Sequence, residues 1–177
     1  MKASFNFVFG LSVLILTSCS SVRVNSDYDQ AASFQEYKTY KIVKQSDNFP
    51  LGVNAINQQR IETAIKATLT DYDYFYADQT PDLLVSYFVK INTEQAYNTY
   101  STYYSGRWRG VMITDVDVRE YQEGTLIIDL IDTKTKQVVW HGTASGTVSE
   151  NMKNVEQKIN EAVAAIFKEY ANVKRTS

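Results

Sequence analysis

The side chains that could carry catalysis or hold a metal are few in this chain of 177 residues. It has one histidine, His141, and one cysteine, Cys19. A histidine-rich zinc site is therefore excluded. A Ser-His-Asp triad would have to use His141, which follows Trp140 in a predicted strand with no nucleophile elbow nearby. We predict that His141 is not catalytic, that the protein is not an enzyme, and that it needs neither a metal nor a cofactor.

The remaining side chains that could take part in catalysis are paired aspartates. Two carboxylates that flank a cleft at a suitable separation can hydrolyse a glycosidic bond. On a strand, however, aspartates two residues apart share one face, and such a pair mostly marks the solvent side. A cell-wall or glycan hydrolase that uses a carboxylate pair therefore stays as the alternative function. The four pairs are Asp27/Asp29, Asp71/Asp73, Asp115/Asp117 and Asp129/Asp132.

The only cysteine comes directly after a segment typical of a secretion signal. Lys2 supplies a positive charge, and residues 5–16 are almost wholly apolar. That run is shorter than the roughly 20 residues that a membrane span needs. Leu16-Thr17-Ser18-Cys19 resembles the lipobox at which lipoprotein signal peptidase cuts.

This N-terminus predicts an address in the cell envelope. We expect a signal peptide over residues 1–18, a lipid on Cys19 and a short tether over residues 19–26. Ser20 and Ser21 stand where lipoproteins of the inner membrane typically carry an aspartate. The resemblance therefore implies the outer membrane, with the domain in the periplasm. An ordinary secretory signal with an incidental cysteine is the alternative.

The charge balance argues against nucleic acid as a partner. Loss of Lys2 with the signal lowers the basic count from 18 to 17, against 20 acidic residues. A slightly negative domain lacks the concentrated basic surface that nucleic acids require. The partners that the sequence predicts are the membrane, through the N-terminal lipid, and an envelope protein or a glycan.

One segment has the composition of a recognition surface. Tyrosine among small polar residues gives a large contact area at low cost in conformational entropy. The segment falls between two predicted strands, so we expect it to be a loop. Either this loop binds a partner or its rings pack against the open face of the sheet. Its candidate binding residues are Tyr97, Tyr100, Tyr103, Tyr104, Arg107, Trp108 and Arg109.

Two helices and about six strands must position these residues. Asn54 is a good N-cap for a helix that ends near Asp71, and a second amphipathic helix follows Asn154. Gly124 indicates a tight turn between two of the strands. The predicted strands cover residues 22–28, 36–44, 83–91, 111–121, 125–132 and 137–148, with Met112, Val116 and Val118 on one face of the fourth.

These elements predict a single α+β domain over residues 27–174. Short turns join most of the later strands, so we expect an antiparallel sheet of about six strands. Each helix has one apolar stripe, and both should cover the same face of the sheet, which makes two layers.

Several short motifs resemble, in order and spacing, the envelope lipoproteins grouped as domain of unknown function 4136. The resemblance covers nearly the whole chain after the signal and implies a lipid-anchored periplasmic α+β module. It implies no catalytic residues. The motifs are Val24-Asn25-Ser26-Asp27-Tyr28-Asp29, Phe34 with Tyr37-Lys38-Thr39-Tyr40, Pro81-Asp82-Leu83-Leu84-Val85-Ser86-Tyr87, Gly124-Thr125-Leu126-Ile127-Ile128-Asp129-Leu130 and Val139-Trp140-His141-Gly142-Thr143-Ala144.

Together these observations predict a lipid-anchored, non-enzymatic envelope module that binds a partner protein or a ligand in the periplasm. The hydrolase is the alternative from another class. A mechanical role, in which the domain fills or spaces the envelope without a specific ligand, is the third.

Overall fold

The fold is built on one six-stranded sheet, and the two helices pack against it. The computed structural model describes residues 22–44, 54–105, 110–148 and 154–176, so the predicted signal peptide and Cys19 lie outside the described residues. Along the chain the strands are β1 (Arg23–Tyr28), β2 (Thr39–Lys44), β3 (Phe75–Tyr76), β4 (Leu83–Ser105), β5 (Gly110–Asp132) and β6 (Val138–Val148). The helices are α1 (Ala55–Asp71), between β2 and β3, and α2 (Val155–Thr176), at the end. The predicted α+β class is confirmed.

The strand order is β1-β6-β5-β4-β2-β3, and the sheet is mixed. Strands β4, β5 and β6 form the expected antiparallel meander, with β1 antiparallel on its edge. The prediction of a wholly antiparallel sheet was wrong, because β2 lies parallel to both β3 and β4. Helix α1 carries the chain from the end of β2 back to the start of β3, and such a crossover makes parallel neighbours.

Gly124 does not form a turn but lies inside a continuous strand. It faces Ile91 on one side and Gly146 on the other. A Cβ atom at Gly124 would come within 2.6 Å of the Val148 side chain, so the glycine permits a close approach. The two strands predicted over residues 111–121 and 125–132 are therefore one strand, β5.

The predicted domain boundaries also move outward. Strand β1 begins at Arg23, so residues 23–26, which were expected to be tether, pair with β6. The strand predicted over residues 22–28 is thus present as β1, a largely exposed edge strand. At the other end, α2 continues to Thr176.

The core lies between one face of the sheet and the two helices. The Asn54 side chain accepts a hydrogen bond from the backbone N–H of Asn57 (2.9 Å), which confirms the predicted N-cap of α1. Directly paired residues of neighbouring strands share a face, so the register places the buried strand residues on the helix side. The buried residues include Val85, Tyr87, Ile128, Leu130 and Trp140 of the sheet, Ile61, Ile65 and Leu69 of α1, and Val163, Ile166, Phe167 and Tyr170 of α2.

Gly142 sets how closely α2 approaches β6. A Cβ atom at Gly142 would lie 2.1 Å from the Trp140 ring and 2.8 Å from the Ile166 side chain, which real structures do not tolerate. We expect Gly142→Ala to lower the free energy of unfolding by about 1–3 kcal/mol, because overpacking a close-packed core displaces its neighbours. Denaturant unfolding measures this loss. Gly146→Ala, on the same face of β6, is the control, since its Cβ would meet nothing within 4 Å; equal losses in both variants would contradict the packing argument.

Asp82 holds the parallel strands β2 and β4 together at their start. Its Oδ2 accepts hydrogen bonds from the backbone N–H groups of Lys38 (3.0 Å) and Thr39 (2.9 Å) and from the Thr39 hydroxyl (2.8 Å). The Thr39 hydroxyl oxygen in turn accepts from the Asp82 N–H. Burial alone would raise the pKa of Asp82, but these hydrogen bonds outweigh it and hold the pKa below its ordinary value.

This pKa predicts an acid-sensitive contribution to stability. A carboxyl whose pKa is lowered by folding stabilises the protein above its unfolded pKa of about 3.9 and loses that effect as the pH falls through the folded value. We expect Asp82→Asn to cost about 1–3 kcal/mol at pH 7 and less near pH 2, because the wild-type carboxyl also loses its charge as the pH falls through its folded pKa. Urea unfolding at both pH values tests this. Asp71→Asn, on an exposed side chain, should change neither; a loss for Asp82→Asn that persists undiminished in acid would refute the mechanism.

Candidate binding surface

The meander extends well past the rest of the sheet as a two-stranded hairpin. Strand β6 pairs with β5 only from Gln122 onward, and β2 pairs with β4 only as far as Tyr87. Residues 95–105 therefore pair with residues 110–120 and, within the described parts of the chain, with no other strand. We call these two segments the arm. Ten steps of about 3.3 Å along the strand make it roughly 33 Å long.

One face of the arm carries an exposed apolar stripe. Tyr97 pairs directly with Val118, and Val116 and Met112 follow at even spacing along β5, so all four share a face. Their exposed fractions are 65% for Tyr97, 48% for Val118, 51% for Val116 and 67% for Met112. The same face, followed back into the domain, is the one that the helices cover. The helix side of the sheet thus continues uncovered along the arm, where the polar pairs Thr93–Gln122 and Gln95–Glu120 separate the core from the stripe.

The other face of the arm is polar. Asp117 and Asp115 lie opposite Asn98 and Tyr100, and Arg119 pairs with Asp117 at 2.9 Å. The charged side chains Asp115, Asp117 and Arg119 thus lie on the face opposite the stripe, whereas the face of the stripe has Thr99, Ser101 and Thr114 among its apolar residues.

The edges of the arm have few of the features that block strand pairing. Natural proteins protect exposed edges with lysine, proline or bulges, because unpaired N–H and C=O groups recruit other strands. The sequence has no lysine and no proline between Lys90 and Lys134. The only bulge between β5 and β6 lies at Leu130/Ile131, far from the arm. Among the described residues, no third strand pairs with either edge of the arm.

The predicted recognition loop turns out to be largely strand. Tyr97 and Tyr100 lie in β4, exposed on opposite faces of the arm, and the Tyr97 hydroxyl donates to Gln95 Oε1 (2.7 Å). Tyr103 and Tyr104 also belong to β4. Arg107, Trp108 and Arg109 lie outside the described residues. The loop prediction was wrong because small polar residues and tyrosines are also compatible with a strand that has water on both faces.

The sequence reasoning missed three members of the surface. Met112, Val116 and Val118 were correctly placed on one face of a strand but were not recognised as exposed. The sequence does contain one indication that these residues are exposed. Residues 95–105 are mostly polar, and a strand that pairs with such a segment cannot lie in a core. Only the pairing register shows which residues form the stripe.

A groove lies on the helix side at the base of the arm. The middle of β4 and β5 and the end of β6 form its floor, and the first turns of α1 and α2 form its walls. Its volume is about 190 Å³, and its apolar wall residues are aliphatic, such as Val89, Ile91 and Ile159. Val22, the residue before β1, also lines it. Lys158 and Glu161 are its charged residues.

His141 and the paired aspartates, which the sequence suggested as possible catalytic groups, lie outside the groove. His141 Nδ1 is 2.6 Å from Asp129 Oδ1, on the face of the sheet opposite the helices. This pair supplies two parts of a triad, but no hydroxyl donates to His141 among the hydrogen bonds of the described residues. None of the four aspartate pairs lines the groove. In the described part of the chain, no group of three or more potential metal ligands is brought together.

None of the described helices is both long and apolar enough to cross a membrane.

The fold and this surface define a class of protein: a two-layer α+β domain with a mixed six-stranded sheet and a projecting hairpin arm. The family model described as Domain of unknown function (DUF4136) matches residues 24–170. The chain belongs to this family, as the motifs indicated.

Solved structures share the fold at low sequence identity. A DUF4136 family protein from Bacteroides thetaiotaomicron VPI-5482 is 16% identical with a TM-score of 0.54, and the match covers 86% of this chain and 97% of that one. A PDZ domain protein from Parabacteroides distasonis ATCC 8503 is 18% identical with a TM-score of 0.58, covering 85% of this chain and 36% of that one. The chain thus spans about a third of the latter protein. No curated protein matches the sequence.

Proposed function

We propose that the protein is a lipid-anchored, non-enzymatic module of the outer membrane that binds a partner protein in the periplasm through its arm. The observation that carries this proposal is the exposed apolar stripe on a hairpin that pairs with no other described strand. An isolated two-stranded hairpin is at best marginally stable in water. A hairpin that keeps an apolar face uncovered therefore gains most from a partner that covers it.

The chemistry of the arm favours a protein over a glycan. Sugars are held by aromatic rings with hydrogen-bonding groups around them, whereas the apolar side chains that the structure describes on the stripe are Met112, Val116 and Val118 beside the ring of Tyr97. Open strand edges add main-chain hydrogen bonds, which suit an extended polypeptide. The partner that fits is a protein with an exposed strand or an apolar groove.

The position of the anchor is compatible with this role. Arg23 pairs with Ser145, and Ser145 pairs with Thr125, close to the point where the arm leaves the sheet. The N-terminal end of the domain and the base of the arm thus lie at the same end of the sheet. A lipid on Cys19 would hold that end near the membrane, so the partner is expected to be an envelope protein.

Two tyrosines of the arm allow a matched test. We expect Tyr97→Ala, on the apolar stripe, to weaken binding to the envelope protein captured by the wild type by about thirtyfold, which corresponds to the roughly 2 kcal/mol of an aromatic hot spot. Tyr100→Ala removes a ring of similar exposure, 57% against 65% for Tyr97, from the polar face and should change affinity less than about threefold. Binding is measured with the purified pair by calorimetry.

The same variants separate binding from packing. Both rings are more than half exposed, so neither substitution should change the free energy of unfolding by more than about 0.5 kcal/mol. A lower melting temperature for Tyr97→Ala with unchanged affinity would show that the ring serves the fold, and the proposal would fail.

A further inference from the structure

The groove at the base of the arm is suited to an aliphatic chain. Its volume of about 190 Å³ exceeds the roughly 150 Å³ of apolar cavities that accept benzene. No aromatic residue lines it, and Val89, Ile91 and Ile159 offer branched aliphatic walls. Gly146 leaves the floor open, since a Cβ atom there would meet nothing within 4 Å. Asn57, Ser145 and Thr147 add polar groups beside Lys158 and Glu161, but aliphatic side chains make up most of the lining.

The N-terminus of the described chain leads directly to this groove. Val22 lies on its wall, and Cys19 is three residues earlier in the sequence. Three residues span at most about 11 Å when fully extended. A group attached to Cys19 is therefore tethered beside the groove, and short tethers give effective concentrations in the millimolar range.

We propose that the groove receives part of one acyl chain of the lipid on Cys19 when the protein is outside a bilayer. The inference rests on the proposed lipid anchor but is independent of the proposed role of the arm. In the membrane the bilayer holds the acyl chains. In water an exposed chain is unfavourable by about 0.8 kcal/mol per methylene group, so the nearest aliphatic groove accepts it. The domain would then shield part of its own anchor.

Photo-crosslinking on the full-length chain tests this directly. The protein is produced in bacteria, so that processing and acylation occur, with benzoylphenylalanine in place of Lys158 at the rim of the groove. Lys168 is the control position, also exposed on α2 but about 15 Å further along the helix. The acylated protein is purified in detergent, diluted below the micelle concentration and irradiated, and the N-terminal lipopeptide is analysed by mass spectrometry.

We expect crosslinks to acyl carbons at position 158 with at least about tenfold higher yield than at position 168. Gly146→Leu should fill the floor and remove the crosslink at position 158 while Cys19 stays acylated. Its melting temperature, equal to or above that of the wild type, verifies that it folds; if it does not fold, the comparison of the two positions still decides.

Two contrary results have different meanings. Acylated Cys19 with equal or no crosslinking at the two positions would overturn the inference and leave the lipid anchor in place. Unmodified Cys19 in the processed protein would overturn both the inference and the anchor on which it rests.

Discussion

A chain that ends at Glu150 is expected to lose cooperative unfolding altogether. It lacks α2, whose Val163, Ile166, Phe167 and Tyr170 are at most 1% exposed. Burying each such side chain contributes roughly 1.5–3 kcal/mol, about 6–12 kcal/mol for the four, against a typical total stability of 5–15 kcal/mol. The truncation would also expose Trp140, which stacks on Phe167 with ring centroids 6.2 Å apart. Calorimetry should show no transition.

Single substitutions on the helix give the matched comparison. Phe167→Ala should cost about 3–5 kcal/mol, as other truncations of buried aromatic residues do. Lys168→Ala, on the neighbouring exposed side chain, should stay within about 0.5 kcal/mol of the wild type. If the truncated chain melts at the full-length temperature, α2 is not part of the domain and the two-layer fold is wrong.

The second large effect is expected at the N-terminus. Cys19→Ala, made together with an ordinary secretion signal in place of residues 1–18 so that cleavage does not depend on the lipid, should move the protein from the membrane fraction to the soluble periplasmic fraction, because removal of the thiol removes the site of acylation. One acyl chain binds membranes only marginally and several anchor firmly, so we expect the membrane-bound fraction to fall by about tenfold or more. Ser20→Ala is the matched control and should stay bound.

Mass spectrometry tests the acylation of Cys19, and sucrose-gradient fractionation tests which membrane holds the protein. The wild-type protein should begin at an acylated Cys19 and sediment with the outer membrane. A processed protein with a free thiol at Cys19 would contradict the lipid anchor, and sedimentation with the inner membrane would contradict the assignment from Ser20 and Ser21.

The helices could be predicted from the sequence because each buries a continuous stripe. Ile61, Ile65 and Leu69 of α1 recur at steps of four, and all three are buried. The periodicity alone identifies such a helix, since every third or fourth side chain meets the core. The N-cap at Asn54 was also predicted correctly, because it depends only on residues that are close in the sequence.

The length and direction of the strands could not be predicted in the same way. Glycine is common in turns, so Gly124 suggested a turn. Only the proximity of the Val148 side chain explains why a glycine lies inside β5. The parallel pairing of β2 and β4 depends on where α1 returns the chain. Residues 95–105 lack an alternation of apolar and polar residues because both faces of the arm are exposed, so no local pattern identifies them as strand.

Only one described residue of the stripe was among the candidate binding residues predicted from the sequence. Tyr97 was identified from composition, whereas its neighbours on the stripe, Val116 and Val118, became visible only through the pairing register. The groove lies where β6 ends and both helices begin, and no pattern in the sequence predicts that these three elements come together there.

The most direct test of the central claim is photo-crosslinking of the arm in living cells. Benzoylphenylalanine replaces Val118, on the apolar stripe, or Val138, a valine of nearly equal exposure (48% and 50%) at the far end of the sheet. If the arm binds an envelope protein, irradiation should give a discrete protein adduct at position 118 and none at position 138. The same adducts at both positions, only lipid or glycan adducts, or no adduct at position 118 would contradict the proposed function.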